Sequence, residues 1–70
     1  MQRTPVVSSN LVSVGYDAES QILEIEFNSG SVYQYYRVPA NIYRGLMKAG
    51  SHGEYFHDYI RDVFRYRQVS

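Results

Sequence analysis

Residues 21–38 read QILEIEFNSGSVYQYYRV. Leu23, Ile25 and Phe27 alternate with Glu24 and Glu26, the period of a strand with one apolar and one polar face. Asn28, Ser29 and Gly30 form a tight connection. Asn opens a type I turn, and Gly supplies the positive φ of the bulge that follows. The next strand is SVYQYYRV (31–38), and its register decides where its tyrosines go. With a three-residue loop, Phe27 faces Ser31, Ile25 faces Tyr33 and Leu23 faces Tyr35. With a two-residue loop, Ile25 faces Gln34, and an amide is buried without a partner at a cost on the order of 1–3 kcal/mol. A one-residue slip flips every side chain, so only one register can hold. The three-residue loop is therefore predicted. It turns Tyr33 and Tyr35 toward the core and Val32, Gln34 and Tyr36 away from it. Tyr36 and Arg37 are left as the exposed pair at the strand end, with Arg37 snorkelling outward.

Outward from this hairpin, LVSVGY (11–16) is rich in β-formers. Alternation places Val12, Val14 and Tyr16 on one face and Leu11, Ser13 and Gly15 on the other. DAES (17–20) is a polar turn. Residues 1–9 carry no clean period and read as a loosely ordered N-terminal arm before a single domain at 10–67. After the hairpin, Pro39 suits the first turn of a helix. PANIYRGLMKA (39–49) aligns Ile42, Leu46 and Ala49, widened by Tyr43 and Met47. Gly45 inside that helix costs up to ~1 kcal/mol relative to alanine, which points to something packed closely there. Gly50 ends the helix, and Ser51 with Glu54 has the spacing of a capping box. A second helix is predicted from His52 or Gly53 to Phe64, with Tyr55, Phe56, Tyr59, Ile60, Val63 and Phe64 as its apolar stripe. RYRQVS (65–70) reads as a basic edge strand or a tail. The fold class is α+β: a three-stranded antiparallel β-meander followed by two helices packed on one face. Leu23, Ile25, Phe27, Tyr33, Tyr35, Ile42, Leu46, Phe56 and Ile60 are expected between the layers.

Seventy residues allow one domain. So short a chain buries only about 60% of its unfolded surface, and eight tyrosines with three phenylalanines supply much burial per residue. The absence of cysteine removes disulfides, thiolate metal sites and a cysteine nucleophile. With no apolar leader and no long apolar run, a cytoplasmic location and no membrane contact are expected. Net charge is zero but segregated. Residues 1–30 set Arg3 against Asp17, Glu19, Glu24 and Glu26. Residues 31–70 set six cations against Glu54, Asp58 and Asp62. A neutral chain can thus present a basic face.

Catalysis finds no support in these residues. Glu24 and Glu26 share a strand face that pattern assigns to water, where nothing separates their pKa values. His52 and His57 are five apart, not the four that puts two ligands on one helix face, and no metal, cofactor or catalytic residue is expected. GSHG (50–53) lacks the lysine and length of a phosphate loop and reads as a cap and turn. The basic residues carry more. Arg44 and Lys48 share a face of the first helix. Arg61 and Arg65 are predicted to do so on the second, with Arg67 following. Tyr36 and Arg37 end the hairpin. Arginines that track phosphates beside rings that stack bases suit single-stranded nucleic acid. The candidate nucleic-acid-binding set is Tyr36, Arg37, Arg44, Lys48, Arg61, Arg65 and Arg67.

SSNLVSVGYD (8–17), LEIEFNSGSVYQYYRVP (23–39) and IYRGLMKAGSHGEYFHDYIR (42–61) together resemble the KTSC domain. The matching features are Tyr33-x-Tyr35, Val38-Pro39, Ala49-x-Ser51-x-Gly53, Tyr55-Phe56 and Ile60-Arg61. His57 departs from the asparagine expected after Tyr-Phe. That small family takes its name from the C-terminus of some lysyl-tRNA synthetases and includes short stand-alone bacterial and phage proteins. The resemblance implies a cytoplasmic, cofactor-free domain and, through the synthetases, RNA as a partner. Two expectations follow: a non-catalytic RNA or nucleic-acid-binding module, or a protein-interaction or scaffold module, the latter including a homodimer.

Overall fold

The computed structural model describes residues 1–70. Its elements are strands β1 (Thr4–Pro5), β2 (Leu11–Asp17), β3 (Ile22–Phe27) and β4 (Val32–Tyr35), helices α1 (Ala40–Lys48) and α2 (His52–Tyr59), and strand β5 (Tyr66–Gln68). The strands form one antiparallel sheet in the order β1-β2-β3-β4-β5. The expected meander is its centre. Two short strands, one from each end of the chain, extend its edges.

The hairpin takes the three-residue register: Leu23 faces Tyr35 and Ile25 faces Tyr33. The Phe27 N–H donates to the Ser31 carbonyl at 2.9 Å, and Gly30, at φ 94°, donates to the Phe27 carbonyl at 2.9 Å. On β2 the simple alternation fails. Leu11 pairs with Phe27 and Ser13 with Glu26, so Val12 is an extra residue in a β-bulge. The bulge lets both Leu11 and Val14 enter the core and leaves Val12 40% exposed. The face predicted as Val12, Val14 and Tyr16 is thus corrected to Leu11, Val14 and Tyr16.

Both helices cover the face carrying Val14, Leu23, Ile25 and Tyr35, and Val38, Leu46 and Ile60 complete the buried cluster. The close partner of Gly45 is Tyr55, whose hydroxyl a Cβ there would strike. Ser51 caps α2 by accepting from the Glu54 N–H at 3.2 Å. His52 Nδ1 lies 2.7 Å from the Leu46 carbonyl. A carbonyl only accepts, so this nitrogen carries the proton and ties α2 to α1.

The second helix ends a turn earlier than expected. Ile60 is fully buried, and the chain then reverses through Asp62 at φ 61°, a conformation aspartate tolerates better than most residues. The reversal brings β5 back to the open edge of β4. Val63, expected in the apolar stripe, is exposed. No helix is long and apolar enough to cross a membrane.

Gly45→Ala tests the helix contact with a definite sign. Alanine gains up to ~1 kcal/mol of helix propensity, yet collision with Tyr55 should make the variant less stable by about 1–3 kcal/mol. Thermal unfolding should show a lower melting temperature; a rise would refute the packing.

Candidate nucleic-acid interface

The outer sheet face, away from the helices, carries a polar network. Gly15 has no side chain, so the N-terminal segment lies directly over β2. A Cβ at Gly15 would come within 2.7 Å of the Gln2 carbonyl oxygen. This places Arg3 over the sheet. Arg3 donates to Glu24 at 2.5 Å and to the Ser13 hydroxyl at 2.9 Å, and lies 3.7 Å from Glu26. Ser13 donates to Glu26 at 3.0 Å, and Gln34 to Glu24 at 2.8 Å. The Tyr36 hydroxyl donates to the Gln34 side-chain oxygen at 3.3 Å.

Glu24 is therefore not on an open wet face, as its pattern suggested, but only 6% exposed. Burial pushes its pKa up. The hydrogen bonds from Gln34 and Arg3, with the Arg3 charge, more than offset this and hold it below the ordinary value. Residues 1–9, read as a loose arm, supply both β1 and this ion pair. The signal available in the sequence was Gly15 within a strand, which marks a close backbone approach.

Beyond Tyr36 the same face turns basic. Gln34 pairs with Arg67 across β4 and β5, so their side chains share a face. One step further, the Tyr36 N–H donates to the Arg65 carbonyl at 2.9 Å. Alternation puts Arg65 on the face of Arg67. Tyr36, Arg37 and Arg65 line one hollow with Val63 and Phe64. Arg37 adopts φ 57° and is exposed. No carboxylate lies within 4.0 Å of Arg37, Arg65 or Arg67.

The other three candidates lie elsewhere. Arg44 and Lys48 are on the exposed side of α1 and line no hollow. Arg61 follows α2, so the helical face predicted for Arg61 and Arg65 does not exist. Its Nε is 4.0 Å from Asp62 at the mouth of a second hollow, on the helix side. There five rings close a circuit: Phe27, Tyr33, Tyr66, Tyr35 and Phe56, with successive centroids 5.2–5.7 Å apart. Tyr66, from the basic C-terminal stretch, was not foreseen as part of it. The hollow measures about 470 Å³. His57 is exposed beside Asp58, and no group of His, Cys, Asp and Glu is placed to hold a metal ion.

A match to the KTSC domain covers residues 7–64. The chain belongs to the KTSC domain family. An uncharacterised protein of Stutzerimonas stutzeri is 41% identical over 70 residues, covering 99% of each chain. The crystal structure of a KTSC domain protein from Yersinia pestis matches with a TM-score of 0.96 at 39% identity, over 99% of this chain and 97% of that one. The lysine–tRNA ligase of Trichormus variabilis is 46% identical over 55 residues, which is 79% of this chain and 10% of the ligase. The KTSC chain thus corresponds to a small part of that enzyme. The Yersinia structure shares the α+β fold, and the family expected from the motifs is the family found.

Acid tests the Arg3–Glu24 pair. Because the folded pKa of Glu24 is depressed, its stabilisation is fully present above the ordinary carboxylate value near ~4.3. It is lost as pH falls through the lower folded value. Glu24→Gln should cost about 1–3 kcal/mol at neutral pH and flatten the acid limb of stability against pH in urea unfolding. An unchanged acid limb would show that the pair contributes nothing.

Proposed function

We propose that this KTSC chain is a non-catalytic binding module for single-stranded nucleic acid, RNA in particular, held across the outer face at the β4–β5 edge. The observation that carries this reading is the grouping of Arg37, Arg65 and Arg67, free of carboxylate partners, around the half-exposed ring of Tyr36. Guanidinium groups there track phosphates, and the ring offers a face to a base. The network from Arg3 to Tyr36 holds that ring in place from behind. The likeness to part of a lysine–tRNA ligase, an enzyme named for an RNA, supports the choice of RNA. Arg44, Lys48 and Arg61 fall outside this footprint.

Fluorescence anisotropy with labelled single-stranded RNA at low salt tests the proposal. Three phosphate contacts release counterions, so log affinity should fall with log salt at a slope of about −2. Arg37→Ala, Arg65→Ala and Arg67→Ala combined should abolish that slope, while Lys48→Ala should leave binding unchanged. No binding at low salt, or equal loss in Lys48→Ala, would defeat it.

A second reading is a protein contact at the free edge of β5, where Tyr66 is 58% exposed. A two-fold antiparallel pairing centred on Tyr66 would set Arg65 against Arg67 of the other copy, and like charges directly opposite are destabilising. The edge therefore suits an acidic strand better than a second copy. Light scattering is expected to show a monomer; a stable dimer would favour the homotypic scaffold.

A further inference from the structure

The helix-side hollow lies on the sheet face opposite the arginine cluster. Tyr35 forms part of its lining and is only 5% exposed. The hydroxyls of Tyr16, Tyr33 and Tyr36 each have an acceptor within the protein, whereas that of Tyr35 has none. No buried side-chain polar atom is sealed away unpaired, so this hydroxyl meets the outside through the hollow it lines. Burial, with the phenols of Tyr33 and Tyr66 beside it, pushes its pKa up to about 12. It is thus a neutral O–H at neutral pH, able to donate one hydrogen bond and to accept others. At the mouth stand a guanidinium and a carboxylate, Arg61 and Asp62, only loosely coupled at 4.0 Å.

A group seated there meets aromatic side chains at the sides, a hydroxyl within and both charges at the rim. We infer that the hollow accepts the base of a nucleotide: Tyr35 on the base edge, Tyr66 against the base face and Arg61 on the phosphate. The ligand class rests on the nucleic-acid reading; the site itself does not, since it shares no residue with the outer face. Arg61 favours an anion and Asp62 a cation, so the choice of ligand falls to the aromatic walls and the Tyr35 hydroxyl. A plain hydrocarbon ring would leave the Tyr35 hydroxyl desolvated and unpaired. A nucleobase has both a stacking face and a hydrogen-bonding edge, and a volume of about 470 Å³ falls within the range of small-ligand sites.

Nucleoside monophosphates titrated into the full chain, with amide shifts followed by NMR, test the inference. Saturable shifts are expected at Tyr33, Tyr35 and Tyr66. Tyr35→Phe should weaken binding about 5–10-fold while leaving the melting temperature unchanged, because the lost hydroxyl has no partner in the protein. Arg61→Ala should weaken monophosphates but not the corresponding nucleosides. Absence of saturation up to about 10 mM, or wild-type affinity in Tyr35→Phe, would overturn the site. Monophosphates that fill the hollow in a chain that fails to bind RNA would uphold it and sink the outer-face proposal. RNA binding with the hollow untouched would do the reverse.

Discussion

The Phe27 amide reaches the carbonyl of Ser31, and Gly30 returns its own N–H to Phe27. Those two bonds close the central hairpin in three residues, and both faces of the protein depend on them. They set Tyr33 beside Ile25 and Tyr35 beside Leu23, on the side the helices cover. They equally set Gln34 beside Glu24, on the side the helices leave alone. A shift of one residue would bury Gln34 against Ile25 and turn the Tyr33 and Tyr35 rings to the outer face. The ring circuit and the polar network are two consequences of one turn.

The two faces solve the problem of small size differently. The helix side gains from area: large rings fill the space that a longer chain would fill with more residues. The outer side has no second layer of helices. It covers Glu24 with the guanidinium of Arg3, and every buried side-chain polar atom there has a partner. Arg3 covers only the β2–β3 half of that face. The β4–β5 half keeps its arginines unpaired, so the boundary between structural and available charge runs through Tyr36.

What the sequence revealed was local. Alternation in β3, turn chemistry at Asn28–Gly30, the cap at Ser51 and the crowding at Gly45 each depend on residues a few positions apart, and each was legible. The bulge at Val12 was not, because it answers to how many residues β3 offers opposite β2. The end of α2 was hidden for a similar reason. Val63 and Phe64 continue a helical stripe, but pairing with β4 outweighs it and turns the chain at Asp62. The basic residues were legible as a set but not as a place. The early turn separates Arg61 from Arg65 and sends them to opposite sides of the sheet. The role of Arg3 was concealed by the polar, aperiodic stretch around it.

β5, latest of the elements in sequence order, closes against β4, and beyond it Ser70 and Val69 exchange backbone hydrogen bonds with Val32. During vectorial synthesis residues 66–70 must leave the ribosome before that seam can zip. Until then Tyr33 and Tyr35 border an unprotected strand edge in the nascent polypeptide. Completion of the sheet thus waits on its last strand, and the aromatic seam acts as the clasp that closes it.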